Sequence, residues 1–302
     1  MLLLAFIYLS LFSFIGISLY KALQFASLPL HSRLELYPVP KEKGRGEYGG
    51  SYYEEMNWWT KKREISLVGE LKEMLEEMLF IKRLFENQRP FWWISYALHL
   101  GIYFLGLWTV LLFLGAITEI AGLPIVTPKG VNPHWWTMLV YYGTILAGGT
   151  GAVLATFGSG ALFLRRLFNH TLKKYTTPQE YFNLLFIFAV LATGLMVWSA
   201  DFGFNYGRAI FKGLLTFTPL EADNLLTLHI FLLGLLLIYI PQSKMGHYVA
   251  KYFTYHKILW DNDPNLPGSE VEKKVKEALS YKPQKTWSAP HYQQGQGKSQ
   301  GM

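Results

Sequence analysis

Apolar residues gather in five blocks: Met1–Tyr20, Phe91 to about Ala116, Trp135–Phe163, Tyr181–Ala200 and Leu225–Ile240. A helix needs about 20 such residues to cross a bilayer. The fifth block is short if it stops before Pro241. Its apolar character begins near Ala222, however, and it is expected to run on past the proline. The pattern predicts an all-α integral membrane protein, a bundle of five transmembrane helices. A cleaved signal peptide fits the first block poorly, because no basic region precedes it and its apolar part exceeds the usual length. An uncleaved anchor is expected instead.

Between the first two blocks lies an insert, 21–90, too long for a simple connection. Its first part is polar and rich in Gly and Tyr around Pro40–Tyr53. Residues 66–86 then place Val68, Leu71, Leu75, Met78, Leu79 and Phe85 near one face, with Glu70, Lys72, Glu73, Glu76 and Glu77 elsewhere. This period predicts an amphipathic helix, lying on the membrane or docking a partner. The remaining blocks make a core over 91–243. A polar tail follows over 244–302, and its Gln/Gly/Ser-rich end is too polar to build a core and is expected to be disordered. The third block carries Gly143, Ala147, Gly151 and Ala155 at four-residue spacing, beside Gly148, Gly158 and Gly160. Such a stripe admits a second helix at close range, or leaves room for a flat macrocycle.

Charge orients the bundle. Of the 28 Lys and Arg, 12 lie in Lys21–Pro90, four in Arg165–Thr177 and nine after Pro241. The two loops on the opposite face hold only Lys129, Arg208 and Lys212. The positive-inside rule puts the N-terminus outside and the C-terminus in the cytoplasm of an inner, multi-pass membrane protein. The net charge of +7 then needs no nucleic acid to explain it.

The chain has no cysteine. Disulfides, thiolate metal sites, cysteine-held iron–sulfur clusters and covalently attached haem are therefore excluded. Redox chemistry would have to rest on histidine. His31, His170 and His256 fall in basic loops and read as ordinary solvated residues, and His291 as a tail residue. His99 and His229 lie inside apolar blocks, where an ionisable side chain is costly. His229 and His247 are 18 residues apart, five turns or about 27 Å on one helix face. His99 stands about level with His247. Two histidines from separate helices suit a low-spin b haem.

Three pieces carry a resemblance: HLGIYFLG from His99; AGGTG, LFLRRLF and YTTP over Ala147–Pro178; and LHIFLLGLLLIYIPQSKMGH over Leu228–His247. With them the chain resembles the haem b membrane (gamma) subunit of respiratory nitrate reductase and its relatives, and its long insert 21–90 and tail look more like the heterodisulfide-reductase-like and sulfite-reduction-associated relatives. The resemblance implies a haem-binding core over 91–243. It implies two b haems, quinol oxidation (menaquinone or another quinone) near the outer face, and electrons passed to a cytoplasmic iron–sulfur partner, heterodisulfide-reductase-like or ferredoxin-like. It makes His99 and His247 ligands of the inner haem iron and His229 a ligand of the outer one.

The family's second outer ligand would fall at Thr109, which cannot ligate iron. Three arrangements are open: His134 replaces it, the outer haem is five-coordinate on His229, or that haem is absent and His229 or His134 takes up a quinol proton. Arg165, Arg166 and Lys244 are possible contacts for haem propionates, and otherwise topology signals. Asp201 and Glu221 are weaker proton acceptors. A haem-free membrane anchor is the alternative from another class.

Overall fold

The computed structural model describes residues 1–27, 39–44, 52–126, 132–256, 263 and 265–282. His31, His291, Lys129 and the end of the tail lie outside them. Among the described residues the chain is helical, with no strand. Five helices are long and apolar enough to cross a bilayer, which makes this a multi-pass membrane protein.

The spanning helices are α1 (Leu2–Ala26), α4 (Arg89–Ile120), α5 (Trp135–Phe168), α7 (Pro178–Ala200) and α9 (Asn224–Tyr239). Shorter helices connect or flank them: α2 (Leu67–Phe80), α3 (Lys82–Asn87), α6 (His170–Tyr175), α8 (Asn205–Thr216), α10 (His247–Thr254) and α11 (Glu270–Ser280). All five predicted blocks are spans. α4 has 32 residues and α5 has 34, so each runs well past the apolar stretch that nucleates it.

The spans form an open row rather than a closed ring. α4 lies along α5, α5 against α7, α7 against α9 and α9 against α1, with no comparable packing between α4 and α9. The α4–α5 seam is the closest. A Cβ on Gly101 would stand 2.4 Å from the Ala155 backbone nitrogen, and one on Gly158 2.5 Å from that of Leu98. The small-residue stripe of α5 is thus spent on backbone contact, where dispersion across many atoms holds two apolar helices together. Leu98, Ala155, Leu162 and Leu184 form the buried core where α4, α5 and α7 meet. α1 closes onto α9 through stacked Phe6 and Phe231, 5.3 Å between centroids.

Two elements bridge the ends of the row. On one face α8 runs from α4 to α1. Near its start Arg208 pairs with Glu119 of α4 at 3.3 Å. At its end the Leu214 carbonyl accepts from Tyr8 of α1, whose ring lies 5.9 Å from Phe217. On the opposite face α10 touches α1 through Tyr248 and Phe253, and reaches back to α2 and α4.

Two expected elements differ. The amphipathic stretch 66–86 is two helices, broken at Ile81, whose backbone is left-handed (φ 53°). The Glu77 carboxylate accepts the Arg83 backbone N–H at 2.8 Å, and so caps the second helix at the break. The α-helix of the fifth span stops at Tyr239, and the span passes Pro241 by a single residue, to Gln242. It tightens into 3-10 turns over Ile240–Gln242 and Lys244–Gly246, separated by extended Ser243, before α10 begins. Proline lacks the donor that a continuous helix needs there. His229 and His247 therefore stand on different helices, and five whole turns do not relate them.

Candidate functional site

α4 enters the bundle with Pro90 in its first turn, where the missing N–H costs nothing. Its next turns are tied to α2. The Trp92 indole donates to the Phe80 carbonyl at 2.6 Å, and the Tyr103 hydroxyl to that of Met78 at 2.6 Å. Lys251 of α10 donates to the Glu77 carbonyl and carboxylate, both at 3.1 Å. Trp92 and Tyr103 satisfy carbonyls that the end of any helix leaves unpaired, while Lys251 adds a second donor to the Glu77 carbonyl, which already accepts the Ile81 N–H at 3.2 Å. Tyr103 is one turn beyond His99, and Lys251 one turn beyond His247. The end of α2 therefore lies beside both histidines.

Those two rings face each other, centroids 6.2 Å apart and planes at 61°. The His99 Nδ1 is 2.7 Å from the Ser95 carbonyl, and the His247 Nδ1 is 3.2 Å from the Lys244 carbonyl. A carbonyl only accepts, so each Nδ1 carries the proton and each Nε2 keeps its lone pair. Such a backbone acceptor behind the ring is the usual support of a metal-ligating histidine. The spacing fits a metal between the rings. Metal–nitrogen bonds of about 2.05 Å and ring radii of about 1.15 Å put two such centroids about 6.4 Å apart. The donor set thus suits a haem iron held on both faces.

His229 lies elsewhere. Its Nδ1 is 3.1 Å from the Thr193 hydroxyl of α7, and a Cβ on Gly194 would stand 3.0 Å from its ring. Thr109 donates its hydroxyl to the Leu105 carbonyl at 2.8 Å. His134 is exposed at the start of α5, where its Nδ1 accepts the Trp136 N–H at 3.2 Å. Both its hydrogen bond and its ring contact with Trp135 are local.

The basic residues have protein partners. Arg165 lies over the Phe91 ring at 4.8 Å and reaches the Pro90 carbonyl. Arg166 and Lys244 share the Glu180 carboxylate, at 3.9 and 3.5 Å. Asp201 holds the start of α8, accepting from Asn205 at 2.6 Å and from the Tyr206 backbone at 2.7 Å. His256 is not simply solvated, because its Nδ1 is 2.8 Å from Glu70 of α2.

Sequence reading missed Lys251, Glu77 and Tyr103 around the histidine pair, and Glu119 beneath Arg208. The four-residue offsets of Tyr103 and Lys251 from His99 and His247 were the signal available. No family model, curated protein or solved structure matches the chain.

Proposed function

We propose that this chain is the cytochrome b subunit of a multi-subunit membrane oxidoreductase. It exchanges electrons between the quinone pool and a cytoplasmic iron–sulfur partner, as a quinol-oxidising or quinone-reducing subunit. The carrying observation is the His99–His247 pair, 6.2 Å apart with both Nδ1 atoms on backbone carbonyls. A b haem bound there supplies reversible one-electron transfer.

The chain's own residues hold the position, which is half-buried at His99 and exposed at His247. The Ser95 and Lys244 carbonyls fix the tautomer and turn of each ring, so neither ligand need reorganise on binding. α2 walls the pair on one side through Trp92, Tyr103 and Lys251. With no cysteine to build a relay of its own, the chain hands electrons to another polypeptide. The insert and tail hold 21 of the chain's 28 Lys and Arg, interleaved with acidic residues, and they are the docking surface proposed for an electron-carrying partner. By the same charge bias the N-terminus is outside, and the C-terminus and the α10 face are cytoplasmic.

Protein purified from haem-replete cells should show a reduced b-type spectrum, with haem extractable by acid acetone. His99→Ala and His247→Ala should each abolish binding at this position. A colourless preparation would overturn the reading and leave the haem-free anchor in its place.

A further inference from the structure

We infer that this chain holds one haem, between His99 and His247, and that the α8 half of its bundle is closed by side chains instead of a second haem. The inference rests on the functional reading above. It departs from the two haems that the resemblance implies, because the residues of the α8 half do not fit one.

An axial ligand must present a free lone pair. His229 does. The Thr193 hydroxyl spends its proton on the Ala189 and Val190 carbonyls, both at 2.9 Å. It therefore accepts from the His229 Nδ1–H, and Nε2 is left unprotonated. Among the described residues of that half, His134, Thr109, Trp108 and the thioethers do not supply the opposite ligand. His134 has the reverse tautomer: its Nδ1 accepts from Trp136, so the proton of the neutral ring sits on Nε2 and no lone pair remains. Thr109 carries a hydroxyl already donated to its own helix. The Trp108 indole nitrogen is buried with no hydrogen-bond partner, but it is a donor only and offers iron nothing. Met1, Met138 and Met196, thioethers of that half, are 69%, 41% and 55% exposed.

Space is the second, independent ground. The recess that Gly148 and Gly149 open in α5 is filled. A Cβ on Gly148 would stand 2.4 Å from the Trp108 ring and 2.5 Å from that of Phe204, and one on Gly149 2.9 Å from Trp198. These three rings come from α4, α7 and the turn before α8, and they pack on one another. Trp108 and Phe204 meet edge to face at 5.2 Å, and Trp198 stacks on Phe204 at 5.8 Å with planes 11° apart. Phe204 holds this position with a left-handed backbone (φ 52°). That conformation is costly for an aromatic residue and persists where the surroundings enforce it. Here the Phe204 N–H donates to the Asp201 carbonyl at 3.0 Å, and Asp201 anchors α8. The plug and the bridging helix are one construction.

The deciding measurement is the haem-to-protein ratio of the purified full chain, from pyridine haemochrome absorbance against quantitative amino-acid analysis. One haem per chain is expected, and His229→Ala and His134→Ala should leave it at one. Two haems per chain would overturn the inference while sustaining the functional reading, as would a loss of haem on His229→Ala. No haem at all would overturn the functional reading itself. The wild-type ratio needs no variant to fold.

Discussion

The α4–α5 seam permits a test in which local propensity and tertiary packing predict opposite signs. In a helix interior Ala is more favourable than Gly by about 1 kcal/mol. On that ground alone Gly158→Ala should stabilise. In the fold its new Cβ would lie 2.5 Å from the Leu98 nitrogen and 2.7 Å from the Leu98 Cα, where ordinary contact begins at 3.4 Å. Backbone atoms cannot rotate away, so α4 must withdraw from α5 by about 1 Å, an overpacking that costs ~1–3 kcal/mol. Leu98 precedes His99, so the shift is delivered directly to one of the two facing rings. On the proposed function, a metal bond of about 2 Å at His99 could not stretch to absorb it. Gly106→Ala in the interior of α4, the facing helix, is the control, because its Cβ would meet nothing within 4 Å. Thermal unfolding in detergent, followed by size-exclusion fluorescence together with haem absorbance, should rank Gly106→Ala at or above wild type. Gly158→Ala should fall below it and have weakened haem retention. If Gly158→Ala matches Gly106→Ala in both readouts, the seam is not as close as described.

Three further outcomes follow from other contacts. Arg208 is only 2% exposed, and it donates to Glu119 and to the Gly203 carbonyl at 2.8 Å. Glu119→Leu should cost ~3–5 kcal/mol by leaving a buried cation unpaired, and adding Arg208→Met should recover most of that, as read by unfolding midpoints. Burial, and then the Glu77 carboxylate beside it, push the Tyr255 phenol up from its ordinary value. The fold favours the neutral form, so this contribution is whole below about pH 10 and is lost as pH rises further. Amide exchange in α2 should accelerate there, and Tyr255→Phe should remove that alkaline step. Burial pushes the Asp263 carboxyl up, but the hydrogen bond from Arg63 and the charges of Lys41 and Arg63 outweigh it and hold the group below its usual range. Its contribution is present above about pH 3.9 and is lost as pH falls through the lowered value. Asp263→Asn should flatten that acid limb of stability, measured by limited proteolysis of the insert.

What could be read from the chain was whatever apolar length and charge encode. The five spans were legible because about 20 apolar residues have few other uses, and His99 and His247 stood out because the pattern around them made them unusual. The contacts that decide their surroundings were not legible, because they join residues far apart in sequence. Lys251 reaches Glu77, and His256, which reads as solvated, reaches Glu70. The break at Ile81 leaves no proline or glycine in the sequence to announce it. Pro241 was visible, but its effect was underestimated. The turn at Ser243 ends the helix outright, and His247 reaches His99 from a separate short helix. α8 was overlooked for the opposite reason: it is too short and too polar to register beside five apolar spans.

The depth of the histidine pair bears on energy conversion. At 1.5 Å per residue α4 is about 48 Å long, well beyond a hydrocarbon layer of about 30 Å. His99 is ten residues past Arg89, so the pair stands near the α10 edge of that layer. Carrying an electron across a whole membrane under 100 mV is worth about 2.3 kcal/mol. With one redox centre at this edge, an electron passing between a nearby quinone and a partner on the same side traverses little of that field. On the proposed function, and with the quinone exchanging its protons on that same side, the reaction would be close to electroneutral, and its direction would follow the redox balance between quinone pool and partner.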